Sequence, residues 1–198
     1  MSITDKDKLI TLIRFRIQNA ELSKAVIDYM TKDPDHYFWT VPASSSGKYH
    51  PTYALGDGGL VRHTIAAMLI AEDMLTISTI KDPNDQDIVY ASLAMHDFCK
   101  QGLPPNNSRT IFEHPLVGAD EWVNFAQSFN YPRVRIDPGT IDTIAGCIRS
   151  HMGLWNTNKF SRAELPVPVT KLQRFVHACD YLASRKRIEV DMNFDSVI

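Results

Sequence analysis

The stretch Met95-His96-Asp97-Phe98-Cys99-Lys100 places two ionisable groups at the end of an apolar run. Ile88, Ala91, Leu93 and Ala94 give the upstream segment one apolar side. Asn84 or Asp85 is placed to cap its start, Asp87 suits its first turn, and Gly102, Pro104 and Pro105 end it. A carboxylate carried into a packed interior on such a helix is costly unless it is paired. Asp97 therefore needs a partner: a divalent cation, or a neighbouring Arg or Lys. On a continuous helix Lys100 falls about one turn beyond His96 and Asp97, on the same face. Any fold open to this chain must bring further polar groups to that point.

The apolar spacing elsewhere is helical. Segments from Leu9 to Ile17, Glu21 to Lys32, Leu60 to Leu75, about Glu113 to Phe129, Asp137 to His151 and about Val169 to Arg187 each carry one apolar stripe. Asp137-Pro138 is a capping residue followed by proline at the first helical position, and Gly153 ends that helix. No repeat and no alternating strand pattern of useful length is found. The expected class is all-α, a single domain of about six to eight helices: 1–47 as N-terminal helices and the start of a loop, 48–187 as the core, 188–198 as a tail. The Asp33–Gly59 stretch, with its Ser44-Ser45-Ser46-Gly47 run and several prolines, reads as a long loop. Its aromatics Tyr37, Phe38, Trp39, Tyr49 and Tyr53 argue against disorder.

Composition closes off some function classes. Across 198 residues the formal net charge is −2, which gives no electrostatic ground for general nucleic-acid or membrane binding, although a local basic groove stays open. Cys99, Cys147 and Cys179 are odd in number with no CxxC spacing, so a reducing, cytoplasmic setting without disulfides is expected. Lys6, Lys8, Arg14 and Arg16 break up the N-terminal segment as a signal core, and the longest apolar run, Thr64 to Ala71, is far short of a membrane span.

His63, the His96-Asp97 pair, His114, His151 and Asp180 lie on or at the ends of different expected helices, and helices packed on one core can aim such groups at a common point. Imidazole with carboxylate suits Mn, Fe, Co, Ni, Zn or Mg rather than thiolate-seeking metals. Beside His63, the small Ala66 and Ala67 leave room for an ion or another helix. No local motif of the HExxH kind is present, so the ligands would be long-range. Plainer readings stand beside these. His96 and Asp97 can form a buried hydrogen bond, His114 before Pro115 can cap a helix, and His151 and Lys100 can simply favour helix C-termini. Cys99 and Cys179 can fill space. His36 is expected at the surface, and His177 as a half-exposed helix residue. Trp39, Tyr49, Tyr53 and Trp155 read either as a lid over the core or as surfaces for a stacked base.

The order His, His-Asp, His, His, Asp resembles the HD-domain superfamily of metal-dependent phosphohydrolases. Lys48-Tyr49-His50-Pro51, followed by Gly58-Gly59-Leu60-Val61-Arg62-His63-Thr64, is similar to the lead-in of the helical HD domain of certain bacterial 3′–5′ exoribonucleases. The HDxxK form of His96 to Lys100 looks like that of HD-type dinucleotide and cyclic-dinucleotide hydrolases. The similarity runs from about Lys48 to Lys186. It implies His63, His96, Asp97 and Asp180 as the shared metal ligands, and His114 and His151 as the extra ligands of members that hold two ions, with Asp97 bridging. It also implies Lys100 as the contact to a substrate phosphate. The third extra histidine and the GYP motif of the cyclic-dinucleotide class are missing, as is the exoribonuclease's nucleic-acid-binding domain, which turns the expectation toward a small substrate.

The expected activity is hydrolysis of a phosphoester or phosphoanhydride in a nucleotide by metal-activated water, with one or two divalent ions as cofactor, Asp97 and Lys100 as catalytic residues, and Lys48, His50, Arg62 and Arg185 as substrate-binding candidates. Alternatives are a 3′–5′ exonuclease or phosphodiesterase on short nucleic acid, a non-catalytic nucleotide sensor, and a helical scaffold without metal. The expected partner is a small phosphorylated molecule, with no membrane; a homo-oligomer is compatible with the sequence.

Overall fold

Most of the helix starts follow from side chains that replace missing backbone acceptors. The computed structural model describes residues 3–44, 47–105 and 109–192; positions 45–46 of the serine run, 106–108 of the loop after Lys100 and 193–198 of the tail lie outside the described residues. Helices α1 (Asp5–Arg16), α2 (Ala20–Thr31), α3 (Gly59–Ile77), α4 (Pro83–Met95), α5 (His114–Phe129), α6 (Pro138–Ser150) and α7 (Lys171–Ala183) are joined by turns and loops, with short 3₁₀ turns at Tyr37–Trp39 and Thr52–Ala54. Among the described residues the extended structure is an isolated bridge between Thr157 and Glu164. The chain is all-α.

Thr4 and Asp7 form a reciprocal capping box at α1, and Thr170 with Gln173 forms one at α7. Asn19 caps α2. Asp137 accepts from the Thr140 amide at 3.0 Å with Pro138 in the first turn, as its sequence leads one to expect. At α4 the cap is Asp82, followed by Pro83, rather than Asn84 or Asp85. Asp87 is not an exposed first-turn acid either. It is buried, and its two oxygens accept the amides of Gln18 at 2.7 Å and Asn19 at 2.8 Å, tying the α1–α2 link to α4. Asp87 thus satisfies backbone donors across a helix interface, which local sequence cannot reveal.

Helix α3 is the axis of the fold, packed by α1, α4 and α7, while α5 pairs with α6 and α6 leans on α4 and α7. Leu9, Leu12, Ile13, Leu22, Val26 and Tyr29 of α1 and α2 belong to the same hydrophobic cluster as the later helices. Each large side chain buried there contributes about 1.5–3 kcal/mol relative to exposure. Gly59 is fixed by close approach: a Cβ there would stand 2.3 Å from the Ala54 carbonyl oxygen and 3.1 Å from Pro42 Cα.

The turn that succeeds α4 is anchored from the Asp33–Gly59 stretch. Phe98 is buried, with the rings of Tyr29 and Phe38 each 5.2 Å away. His36 stacks on Phe98 at 4.2 Å with an 11° interplanar angle, and its Nδ1 accepts the Phe38 amide. His36 is only 6% exposed, contrary to the surface position expected. Burial in these apolar surroundings lowers it to about 4, against a smaller upward pull from Asp33. The Tyr37 hydroxyl accepts the Gln101 amide at 2.9 Å. The turn carrying Asp97 is thereby clamped from behind by aromatic packing.

Candidate metal centre

The helix ends deliver the ionisable groups. His63 lies in the second turn of α3, His96 caps the C-terminus of α4 with Asp97 next, His114 opens α5, His151 caps the C-terminus of α6, and Asp180 stands in the last turn of α7. The four histidines and Asp97 are at most 2% exposed, and the Asp180 side chain is 17% exposed.

Two groups form around Asp97. In the first, His63 Nε2 is 3.0 Å from Asp180 Oδ1 and 3.4 Å from His96 Nε2, and His96 Nε2 is 3.4 Å from Asp180 Oδ1. Asp97 Oδ2 closes this group, 3.8 Å from His63 and 3.5 Å from His96. In the second, Asp97 Oδ1 is 3.1 Å from His114 Nε2 and 3.7 Å from His151 Nε2, and those two nitrogens are 3.2 Å apart. Ligands about 2.1 Å from a shared ion stand about 3.0–3.4 Å apart at adjacent octahedral or tetrahedral positions; the separations within His63, His96 and Asp180 and those from His114 to Asp97 and His151 fall in that range, and the 3.5–3.8 Å separations from Asp97 to His63, His96 and His151 are slightly wider. One carboxylate offers one oxygen to each.

The tautomers are set by the main chain. His96, His114 and His151 each place Nδ1 2.7 Å from a carbonyl three residues earlier, those of Leu93, Ile111 and Ile148. A carbonyl can only accept, so each Nδ1 carries the proton, and in the neutral ring Nε2 presents a lone pair. The lone pairs of His114 and His151 then face each other, beside an Asp97 Oδ1 that is buried without a hydrogen-bond donor. Such an arrangement is repulsive unless a proton or a cation lies among these atoms. The donor set, imidazole with carboxylate, fits a borderline or hard divalent cation.

Electrostatics point the same way. Burial raises Asp97, but Lys100 first and His96 next hold its carboxyl well below the usual carboxylate range. Burial likewise opposes the charge of Asp180, which hydrogen bonding from His63 and His96 overcomes. His96 is lifted to about 10 because Asp97 and Asp180 outweigh its desolvation. His151 is lowered to about 3 by burial and by the neighbouring His96 and His114. The cluster thus favours ionised carboxylates at Asp97 and Asp180, which suits a cation-binding site.

Above this floor opens a cleft of about 310 Å³, lined in part by Tyr49, His50, Lys100, Trp155, His177, Tyr181 and Arg185. Lys100 does not sit on a continued helix: α4 stops at Met95, and the Lys100 amide bonds the Asp97 carbonyl at 3.0 Å within a tight turn. Its ammonium pairs with Asp97 Oδ2 at the cleft wall. His50 lines the cleft with its ring 5.6 Å from that of His63, and burial first, then His63 and Lys100, lowers it to about 4.

Arg185 also lines the cleft, its guanidinium 4.4 Å from the Tyr181 ring and bonded to Ser184 Oγ. The other two cations expected near substrate are placed differently. Arg62 pairs with Asp5 at 2.6 Å and donates to the carbonyls of Tyr53 and Leu55, so it staples the loop to α1 and does not line the cleft. Lys48 is exposed, its ammonium 5.1 Å from the Tyr49 ring, and is also outside the cleft lining.

Tyr181, Ser184, Thr110 and Met152 join the lining without having been singled out from sequence. Tyr181 comes directly after Asp180, which is the one cue that could have found it. The aromatics divide. Trp39 packs edge-on to Phe38, and the Tyr53 hydroxyl donates to the Ala183 carbonyl, whereas Tyr49 and Trp155 reach the cleft. No helix among the described residues is long and apolar enough to cross a membrane.

A family model described as HD domain matches residues 60–185, a span that includes all six residues of the two groups. No curated protein and no solved structure matches the chain.

Proposed function

The chain belongs to the HD-domain family of metal-dependent phosphohydrolases, and from that premise we propose that it hydrolyses a phosphoester or phosphoanhydride bond of a nucleotide. The observation that carries this reading is the convergence of four main-chain-oriented or carboxylate-paired imidazoles on the two oxygens of Asp97. His63, His96 and Asp180, with Asp97 at their edge, would hold one divalent ion, and Asp97, His114 and His151 a second. When bound, divalent ions there supply Lewis acidity, polarising a phosphoryl oxygen and making water acidic enough to act as nucleophile near neutral pH.

The chain's own residues do the rest. Asp97, held ionised by Lys100 and by the histidines around it, keeps a negative charge at the centre of the floor. The Nδ1 protons donated to Leu93, Ile111 and Ile148 carbonyls stop the three imidazoles from rotating, so their Nε2 atoms stay aimed inward. Lys100 brings a positive charge to the cleft wall, where it offsets charge building on a phosphoryl group. His50, kept neutral, offers hydrogen bonding without adding charge. Arg185 provides a second cation at the rim.

The test is a screen of the pure protein against nucleotides, dinucleotides, cyclic nucleotides, short RNA and a chromogenic phosphodiester, each with Mn, Co, Ni, Mg or Zn. The reading expects metal-dependent release of product that His96→Ala and Asp97→Ala abolish. Fully metallated protein that binds nucleotides but cleaves no member of the panel would replace this reading with a sensor.

A further inference from the structure

Beside the metal-ligand floor, four side chains at the cleft form an aromatic wall that the metal chemistry does not use. Trp155 and Tyr181 are stacked, with ring centroids 5.5 Å apart and planes 16° apart. Arg185 lies 4.4 Å from the Tyr181 ring, and His177 lies 6.3 Å from both aromatic rings. Trp155 is 52% exposed and Tyr181 36%, so part of this π surface is open at the cleft.

The wall is built, not incidental to a floppy loop. Trp155 comes one tight turn after the ligand His151; in that turn the Gly153 amide bonds the Ser150 carbonyl at 3.0 Å and the Trp155 amide bonds Met152 at 3.2 Å. His177 Nδ1 donates to the carbonyl of His151 itself at 2.7 Å, joining this turn to α7. Gly153 has φ +60°, and a Cβ there would stand 2.2 Å from His177 Cε1, so that the ring can lie against this turn only because residue 153 is glycine. Tyr181 projects from the same end of α7 that carries Asp180, and Arg185 follows just beyond that end. The stack is thus locked to two ligand-bearing elements.

We propose that the Trp155–Tyr181 stack is a nucleobase shelf: it holds the base of a nucleoside phosphate while the phosphate reaches Lys100 and the floor. This rests on the phosphohydrolase reading and deepens it, since it assigns substrate selection to two residues outside the ligand set. An aromatic face attracts any base without reading its hydrogen-bonding edge, and Arg185 reinforces the stack through its cation–π contact. The base can come from a free nucleotide or from the terminal nucleotide of a strand; the chemistry at the shelf is the same.

Because Trp39 and Trp122 are the other tryptophans, and Trp122 is fully buried, Trp155 can report directly on a stacked base by fluorescence. Metal-loaded and metal-free protein are titrated with AMP, with the trinucleotide ApApA and with base-free ribose 5-phosphate. The expected result is quenching by both base-containing ligands, none by ribose 5-phosphate, and loss of the signal in Trp155→Phe. Trp155→Ala is expected to weaken AMP binding about tenfold, as deletion of a stacking partner does, and to move ribose 5-phosphate binding far less. Tighter binding of ApApA than of AMP assigns the shelf to a strand end, and the reverse assigns it to a free nucleotide. Equal binding of AMP and ribose 5-phosphate, or AMP affinity unchanged in Trp155→Ala, overturns the shelf. Base-dependent quenching with no hydrolysis of any substrate would leave the shelf standing and remove the phosphohydrolase reading, and hydrolysis without base preference would do the opposite.

Discussion

The floor and the rim of the cleft are built on different principles. Every floor histidine is buried, and three of the four have Nδ1 pinned by a carbonyl three residues back. The rim is made of half-exposed side chains on loops and on one face of α7, positioned by stacking and by single hydrogen bonds. A floor of this kind tolerates little, because a displaced Nε2 or a lost carboxylate leaves buried polar atoms unpaired. A rim of this kind can change one residue at a time. On the proposed reading, the division would put the reaction type in the helix ends, and the choice of substrate in the turns and loops beyond those ends.

The sharpest way to break this division is Asp97→Asn. It removes the one group shared by both ligand sets, and activity should fall on the order of a thousandfold, with bound metal falling too in elemental analysis. His114→Ala should act on one half only. One ion equivalent should be lost while the His63–His96–Asp180 group retains its own, with activity down roughly a hundredfold. Retention of both ions would show that the second group is not a ligand set. Lys100→Ala sits between floor and rim: kcat should drop about 10- to 100-fold, while metal content stays at the wild-type value.

Arg62 sharpens the contrast from outside. It adjoins His63 in sequence yet belongs to neither region, so Arg62→Ala should lower stability by about 1–3 kcal/mol through its unmatched carbonyls and the unpaired Asp5. KM should stay within twofold; a tenfold rise in KM would return it to the rim.

The smallest effect concerns His36, behind the floor. Its folded value of about 4 lies below the ordinary value of about 6.5, so the folded protein favours the neutral ring. As pH falls from about 6.5 toward 4, the unfolded chain takes up a proton that the folded one refuses, and stability is lost over that window. Denaturant titrations of metal-free protein should show this slope, and His36→Phe should reduce it. His50, also lowered to about 4, contributes to what remains.

What was legible in sequence divides along the same line. Apolar spacing and caps such as Asp137-Pro138 marked out the helices because those signals act within one turn. The six floor residues were visible as ionisable groups on or at the ends of separate helices, and their common role came from the resemblance to the HD-domain superfamily. Asp82 was passed over as a cap for its neighbours Asn84 and Asp85, and α7 stops at Ala183 instead of Arg187, both errors of about one turn. The larger misses were all long-range. The inward placement of His36 depends on Phe98, the commitment of Arg62 depends on Asp5 and two loop carbonyls, and the rim position of Tyr181 depends on Trp155. Periodicity says which face a residue is on, but not which distant residue meets it.

The most direct measurement is anomalous diffraction at the manganese edge from crystals grown with excess Mn. The account predicts two peaks, one about 2.1 Å from His63, His96, Asp97 and Asp180, the other about 2.1 Å from Asp97, His114 and His151. Well-ordered crystals with Mn bound elsewhere, or with no peak between these side chains, would contradict it.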